Sequence, residues 1–312
     1  RAADEWLAKL AHELDGRRPD YLVISHMEPD HSGSILRLAE KYQEMKLVGN
    51  TKTFTMLRQF FGAKAPTDDR LLEVGEGETL PLGAHTLHFM LAPMVHWPEV
   101  MVAYEETEKI LFSADAFGRF GSLGRTTNAP WAPQARRYYY NIVGKYGAQV
   151  QALLKKASVL EIKTVCPLHG PVLTGEALGE ALRLYDLWSR WQSESPDDIL
   201  LAHASIHGNT ARAAELHKQK LEAKGARVTL CDLTTTEVSY AVANAFYCGK
   251  LVLACSTYDG GLFPPMEEFL SHLQAKGFRD RSVGLMENGS WAPAAARLMR
   301  AKLEEMKDLR VC

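Results

Sequence analysis

Tyr21-Leu22-Val23-Ile24-Ser25, followed by His26-Met27-Glu28-Pro29-Asp30-His31, decides how this chain is read. The first five residues are an apolar run with β-branched members, the pattern of a buried strand. Of the next six, four carry side chains that bind metal: two imidazoles and two carboxylates. Ser32-Gly33-Ser34-Ile35-Leu36-Arg37-Leu38-Ala39 then reads as a helix start. The donors therefore stand on the loop at a strand's carboxyl end. An extended loop with alternating ligands would aim His26, Glu28 and Asp30 to one side and leave His31 to face a second ion. A polar loop with a helix cap at Asp30 or Ser32 accounts for one carboxylate, but not for four donors in six positions.

Working outward, 312 residues allow two domains of ordinary size, each with its own core. A net charge of −2 makes no electrostatic case for nucleic acid or an anionic membrane surface. No apolar run has the length of a bilayer span; residues 240–255 come nearest and are interrupted by Asn244 and Gly249-Lys250. No signal peptide is visible. The cysteines, Cys166, Cys231, Cys248, Cys255 and Cys312, contain no Cys-x-x-Cys pair. That usage suits a reducing cytoplasm and argues against a disulfide framework or a zinc ribbon. The start at Arg1 and the strand-like Arg310-Val311-Cys312 suggest further chain at both ends, the N-terminal strands of the first domain and a C-terminal strand and helix of the second.

Three more single donors follow strands in the first half: His96, Asp115 and His169. His85 and His88 read instead as ordinary strand-surface residues, because no other donors cluster with them. Seven side chains are too many for one tetrahedral ion. They suit two ions bridged by Asp115. A polar stretch at residues 192–198, with Pro196, separates domains at 1–195 and 196–312. Beyond it strands at 199–204, 227–233, 251–256 and 282–286 alternate with helices at 210–224, 237–247, 266–275 and 292–306. That is a doubly wound parallel sheet of the α/β class.

The first turn of that sheet, Ser205-Ile206-His207-Gly208-Asn209-Thr210, places hydroxyls, a glycine and a helix start after a strand. Backbone N–H groups there face an anion and the helix dipole favours it. The turn is not Gly-x-Gly-x-x-Gly; it is similar to the flavodoxin loop, which holds one terminal phosphate and so FMN. Ser256-Thr257-Tyr258-Asp259-Gly260-Gly261 and Glu287-Asn288-Gly289-Ser290-Trp291 follow the third and fourth strands. In the flavodoxin arrangement both would meet the isoalloxazine ring. Tyr258 and Trp291 are candidates for contact with it, with packing as the plain alternative.

His-x-Glu-x-Asp-His, then His96-Trp97-Pro98, Ser113-Ala114-Asp115-Ala116-Phe117-Gly118 and Pro167-Leu168-His169-Gly170, resembles the flavodiiron proteins. The resemblance implies a metallo-β-lactamase-like αββα sandwich followed by a flavodoxin-like sheet. It implies that His26, Glu28 and His96 bind one iron and Asp30, His31 and His169 the other. Hydrolases of the fold have His where this chain has Glu28; a carboxylate makes the site harder and more anionic, which favours iron over zinc. The family passes electrons from rubredoxin, another small redox protein or a reduced deazaflavin through FMN to the irons. There O2 is reduced to water or NO to N2O, in a head-to-tail homodimer or a dimer of such dimers. The alternative is a binuclear zinc hydrolase with the second domain as a binding module, against which Glu28 and the flavin loops both count. A redox sensor or scaffold without turnover is a third class.

Overall fold

The computed structural model describes residues 2–126 and 129–312. They form two compact units, Arg1–Gly118 with Ala152–Ala181, and Arg119–Gln151 with Leu182–Cys312.

The first unit opens with the helix Ala2–Leu14. Strands Tyr21–Val23, Lys46–Gly49 and Leu71–Glu73 form a parallel sheet in that order. A second, mixed sheet runs Thr79–Leu82, His85–Leu91, Met101–Glu105, Ile110–Phe112, Thr164–Cys166 and Leu173–Thr174. Val48, Val74, Leu87, Phe89 and Met101 pack between the two sheets. Ile24, Met27, Leu38, Leu47, Phe54 and Leu57 pack the helices onto the outer face of the first. This is the layering that the expected αββα sandwich requires, since each sheet buries apolar side chains on its inner face.

The chain leaves its first strand still paired. Ile24 N–H donates to Val48 O, and Met101 N–H donates to Ser25 O, which draws the donor loop onto the second sheet. The loop is not extended throughout. Pro29–Ser32 is a helical turn, with Pro29 at its first position and the N–H groups of His31 and Ser32 both donating to Glu28 O. Proline's fixed φ favours that start, so Asp30 and His31 stand on a turn rather than on an alternating strand.

In the second unit the parallel strands run Val228–Asp232, Ser195–Ala204, Cys248–Tyr258, Ser282–Asn288 and Arg310–Val311 across the sheet. In chain order that is second, first, third, fourth, fifth, the flavodoxin-like arrangement. The cut expected at residue 195 differs from the compact units. Ser195 already begins the first strand of the sheet. Glu194 is held by Arg136 (2.6 and 3.1 Å) and accepts from Trp188 Nε1 (2.7 Å), so the polar stretch is tied down. Residues 119–151 join the same unit through aromatic packing. Tyr140 stacks on Phe246 with ring centroids 3.9 Å apart, and Arg137 lies 3.8 Å over the Tyr240 ring while donating to Ser239 Oγ (2.6 Å). Tyr138, Tyr139, Tyr140, Tyr185 and Trp188 are all buried. Among the described residues no helix is long and apolar enough to cross a membrane.

Candidate metal centre and flavin cavity

All seven donors stand just beyond strand ends of the first unit, as their spacing suggests. They gather into two groups, His26, Glu28, His96 and Asp115, and Asp30, His31 and His169, each with its donor atoms within 4.8 Å of one another. In the first group His96 Nε2 lies 3.1 Å from Glu28 Oε2 and 3.1 Å from Asp115 Oδ2, and His26 Nε2 lies 3.3 Å from Glu28 Oε2. In the second, His169 Nε2 lies 3.3 Å from Asp30 Oδ2 and 3.1 Å from His31 Nε2. The groups adjoin at Asp115, whose other oxygen, Oδ1, is 3.1 Å from His31 Nε2.

Donors that share one ion at about 2.1 Å stand roughly 3 Å apart, so both groups fit a cation. Two imidazole nitrogens facing each other, as in His31 and His169, also need a proton or a cation between them. Burial opposes the charge on Asp115, but hydrogen bonds from His31 and His96 and the charges of His26 and His31 outweigh it and hold the carboxyl well below its usual range. Burial likewise opposes protonation of His26, yet its hydrogen bond to Glu99 and the charges of Asp115, Glu99 and Glu28 leave its pKa raised. The centre is an electrostatic well for positive charge.

Local backbone serves this placement. Asp115 is flanked by Ala114 (φ +51°) and Phe117 (φ +68°), left-handed positions that a non-glycine residue adopts at a cost. Leu168 N–H donates to Ala114 O and so ties the His169 loop to the Asp115 loop. Glu99 is the residue that sequence reasoning missed: its carboxylate accepts from His26 Nδ1 at 2.7 Å. The only signal is its position three residues after His96. His85 and His88 pair with Glu105 and Glu106, away from the donor groups. A cavity of about 460 Å³ opens onto His26, Asp30 and His31, with Trp6, Leu22, Ile35 and Leu168 on its walls.

The second unit holds a cavity of about 330 Å³ at the carboxyl ends of its strands. Ser205, Ile206, His207, Asn209, Thr210, Ser256, Thr257, Tyr258, Asp259, Asn288, Gly289 and Trp291 line it, together with Ser290. Gly208, at φ +83°, is the N-cap of the helix Asn209–Glu222 and has no side chain to cap it, while its own N–H donates to Ser205 Oγ (3.1 Å). Glycine is suited to that left-handed turn. Four nominated residues stand outside the lining. Besides Gly208 these are Gly260 and Gly261, in the hairpin turn where Gly261 pairs with Tyr258, and Glu287, which accepts from Ala296 N–H (3.0 Å). Thr257 Oγ1 similarly caps the last helix by accepting from Ala294 and Ala295 N–H. Thr210 is buried, and its hydroxyl meets Ser256 Oγ (2.8 Å) and Asn288 Nδ2 (3.3 Å). It joins three loops rather than standing as a loose donor. The rim is aromatic and open: Tyr258 is 49% exposed and Trp291 92%.

Residues 4–170 match the family described as "ODP family beta lactamase", and the chain belongs to that family. Within it, the two-unit architecture and the relatives identify a flavodiiron protein. The rubredoxin-oxygen oxidoreductase of Megalodesulfovibrio gigas is 25% identical over 97% of this chain and 76% of its own length. The flavo-diiron protein FprA2 of Clostridium acetobutylicum is 25% identical over 98% of this chain and 78% of its own. The solved flavodiiron protein of Giardia intestinalis superposes with a TM-score of 0.88 at 25% identity, covering 99% of this chain and 78% of that one. The chain spans 52% of the length of longer diflavin relatives from cyanobacteria.

Proposed function

We propose that this oxidoreductase carries FMN in the second unit and two irons in the first, and reduces O2 to water, NO to N2O, or both. The observation that carries the reading is the pair of adjoining donor groups that share Asp115 and include Glu28, on a chain that also holds a flavodoxin-type cavity. When bound, FMN supplies stepwise electron transfer and the iron pair supplies redox chemistry at positions open to a small ligand. The residues of the chain have separate tasks in this reading. His26, Glu28 and His96 hold one iron, Asp30, His31 and His169 the other, and Asp115 spans both. Glu28 and Asp115 make the set carboxylate-rich, which suits iron over zinc. The apolar side chains of Trp6, Leu22, Ile35 and Leu168 leave an uncharged diatomic a way past them to Asp30 and His31. The open amino end of the helix at Asn209 receives the FMN phosphate. Tyr258 and Trp291 flank the ring.

The donor is rubredoxin, another small redox protein or a reduced deazaflavin, and a head-to-tail homodimer sets each flavin against the partner's irons. Relatives named flavo-diiron protein and rubredoxin-oxygen oxidoreductase support the coarse part of this reading. Anaerobic loading with Fe2+ and FMN should give two irons and one flavin per chain, with O2 or NO consumed at the expense of reduced rubredoxin. Zinc retained through iron loading, with hydrolase activity and no flavin band, would overturn it. Mixing a chain unable to bind flavin with one unable to bind iron should restore activity through crossed sites. Proven heterodimers without activity sink the crossed transfer.

A further inference from the structure

We propose that Glu99 is the positioning residue of the buried donor group. It holds His26 with Nδ1–H turned to its own carboxylate and Nε2 turned to Glu28, His96 and Asp115. A divalent cation in that group is thereby retained more tightly than one held by Asp30, His31 and His169. The inference rests on the reading of the two groups as metal sites.

Glu99 is 1% exposed, and its position is set from both ends. Oε1 accepts from His26 Nδ1 (2.7 Å) and from Met27 N–H (2.9 Å). Its main-chain oxygen accepts from Asn50 Nδ2 (2.7 Å), and Asn50 in turn caps the helix Thr51–Phe61 by accepting from the N–H groups of Lys52 and Thr53. Trp97 packs edge-on against the His26 ring at 5.2 Å, so the imidazole has little freedom to flip. Burying a carboxylate is costly unless its oxygens are satisfied. Here Oε2 is buried with no hydrogen-bond partner. An apolar side chain would fill the same space at lower cost. The carboxylate makes sense if its charge is felt through the imidazole: it fixes the tautomer and raises the basicity of the nitrogen facing the cation, an effect commonly tenfold to a hundredfold in metal affinity. The other group is wetter. The Asp30 side chain is 50% exposed and that of His169 33%, so water competes for a cation there.

Zn2+ is a suitable probe because it is diamagnetic and binds the same donors. The metal-free full chain is loaded with Zn2+ and challenged with a graded chelator, while nitrogen-15 NMR of the histidine rings reads the His26 tautomer. Wild type should release one equivalent at least tenfold more readily than the second. Glu99→Ala should weaken the retained equivalent tenfold or more, leave the other unchanged and let the His26 tautomer mix. Glu99→Gln keeps an oxygen acceptor but no charge, so it should keep the tautomer and lie between the two in retention. A merely structural Glu99 would lower the Tm of both variants without changing the release pattern or the ring signals. Wild-type release of both equivalents from Glu99→Ala overturns the proposal. If that variant does not fold, wild-type release from Glu99→Gln overturns it instead. A wild-type chain that takes up no Zn2+ sinks the metal reading itself, and this role with it.

Discussion

The donor groups of the first unit and the cavity of the second are built on opposite principles. Asp115, which joins the two donor groups, is 0% exposed, whereas Trp291 on the rim of the second unit's cavity is 92% exposed. In the proposed reading, side chains of the first unit do the binding, from four separate strand ends, and they must be preassembled because a half-formed cluster leaves charges buried alone. In the second, one helix amino end and three neighbouring loops do it. These use backbone N–H groups that any parallel sheet of this order places at its carboxyl edge. A side-chain cluster should therefore fail through single residues, and a backbone cradle fully through loss of room but only partly through loss of one side chain.

The largest effect tests that contrast directly. Asp115→Ala removes the one side chain shared by both groups, so iron should fall from two to one or fewer per chain and gas reduction should cease, with flavin content unchanged. Iron analysis after desalting checks it; two irons retained would break the comparison at its centre. Next comes the converse. Asn209→Leu with Thr210→Leu fills the cradle, so FMN absorbance should be lost on desalting while iron stays. Thr210→Val is the milder form. It keeps the volume but deprives Ser256 and Asn288 of a hydrogen-bond partner, at about 1 kcal/mol, or several-fold in FMN affinity. Unaltered FMN affinity in that variant would mean the three loops are held together by packing alone.

A smaller change is expected from Trp291→Ala. Its ring is almost wholly in water without flavin, so the flavin-free Tm should not move. FMN affinity should drop by about 1 kcal/mol, the scale of one aromatic contact. Fluorescence titration with FMN measures it, and a lowered flavin-free Tm would reassign Trp291 to packing. The smallest effect concerns the scaffold. Although near-burial opposes its charge, Glu105 accepts from the N–H groups of Glu108 and Thr107 and pairs with His85, which lowers its pKa to about 2 from an ordinary 4.5. A depressed carboxylate stabilises the fold fully above its unfolded value and loses that contribution as pH falls through the folded one. Acid unfolding of wild type should thus steepen between pH 4.5 and 2. Glu105→Gln should flatten that window and leave the neutral-pH iron content alone. A curve identical to wild type would mean that His85 and the turn amides contribute nothing.

The sequence by itself determined what is local. Four donors in six residues after an apolar strand pointed to metal without any fold, because neighbours in the chain stay neighbours in space. The proposed flavin cradle was legible for the same reason, since the glycine turn and helix start from Ser205 to Thr210 directly follow the strand that ends at Ala204. His96, Asp115 and His169 were visible singly as polar residues beyond strands; donor count and strand-end placement suggested the set, and resemblance divided it between two ions. Tertiary structure decided the rest. It put Pro29–Ser32 into a helical turn where alternation suggested an extended loop. It took residues 119–151 into the second unit, because Tyr139, Tyr140 and Trp188 bury one another there and a run of aromatics carries no address for its partner. It also set Glu99 against His26 across 73 positions of chain. No spacing rule spans that distance: whether a carboxylate meets water or an imidazole depends on which strands lie side by side, and that is settled only when the sheets pack.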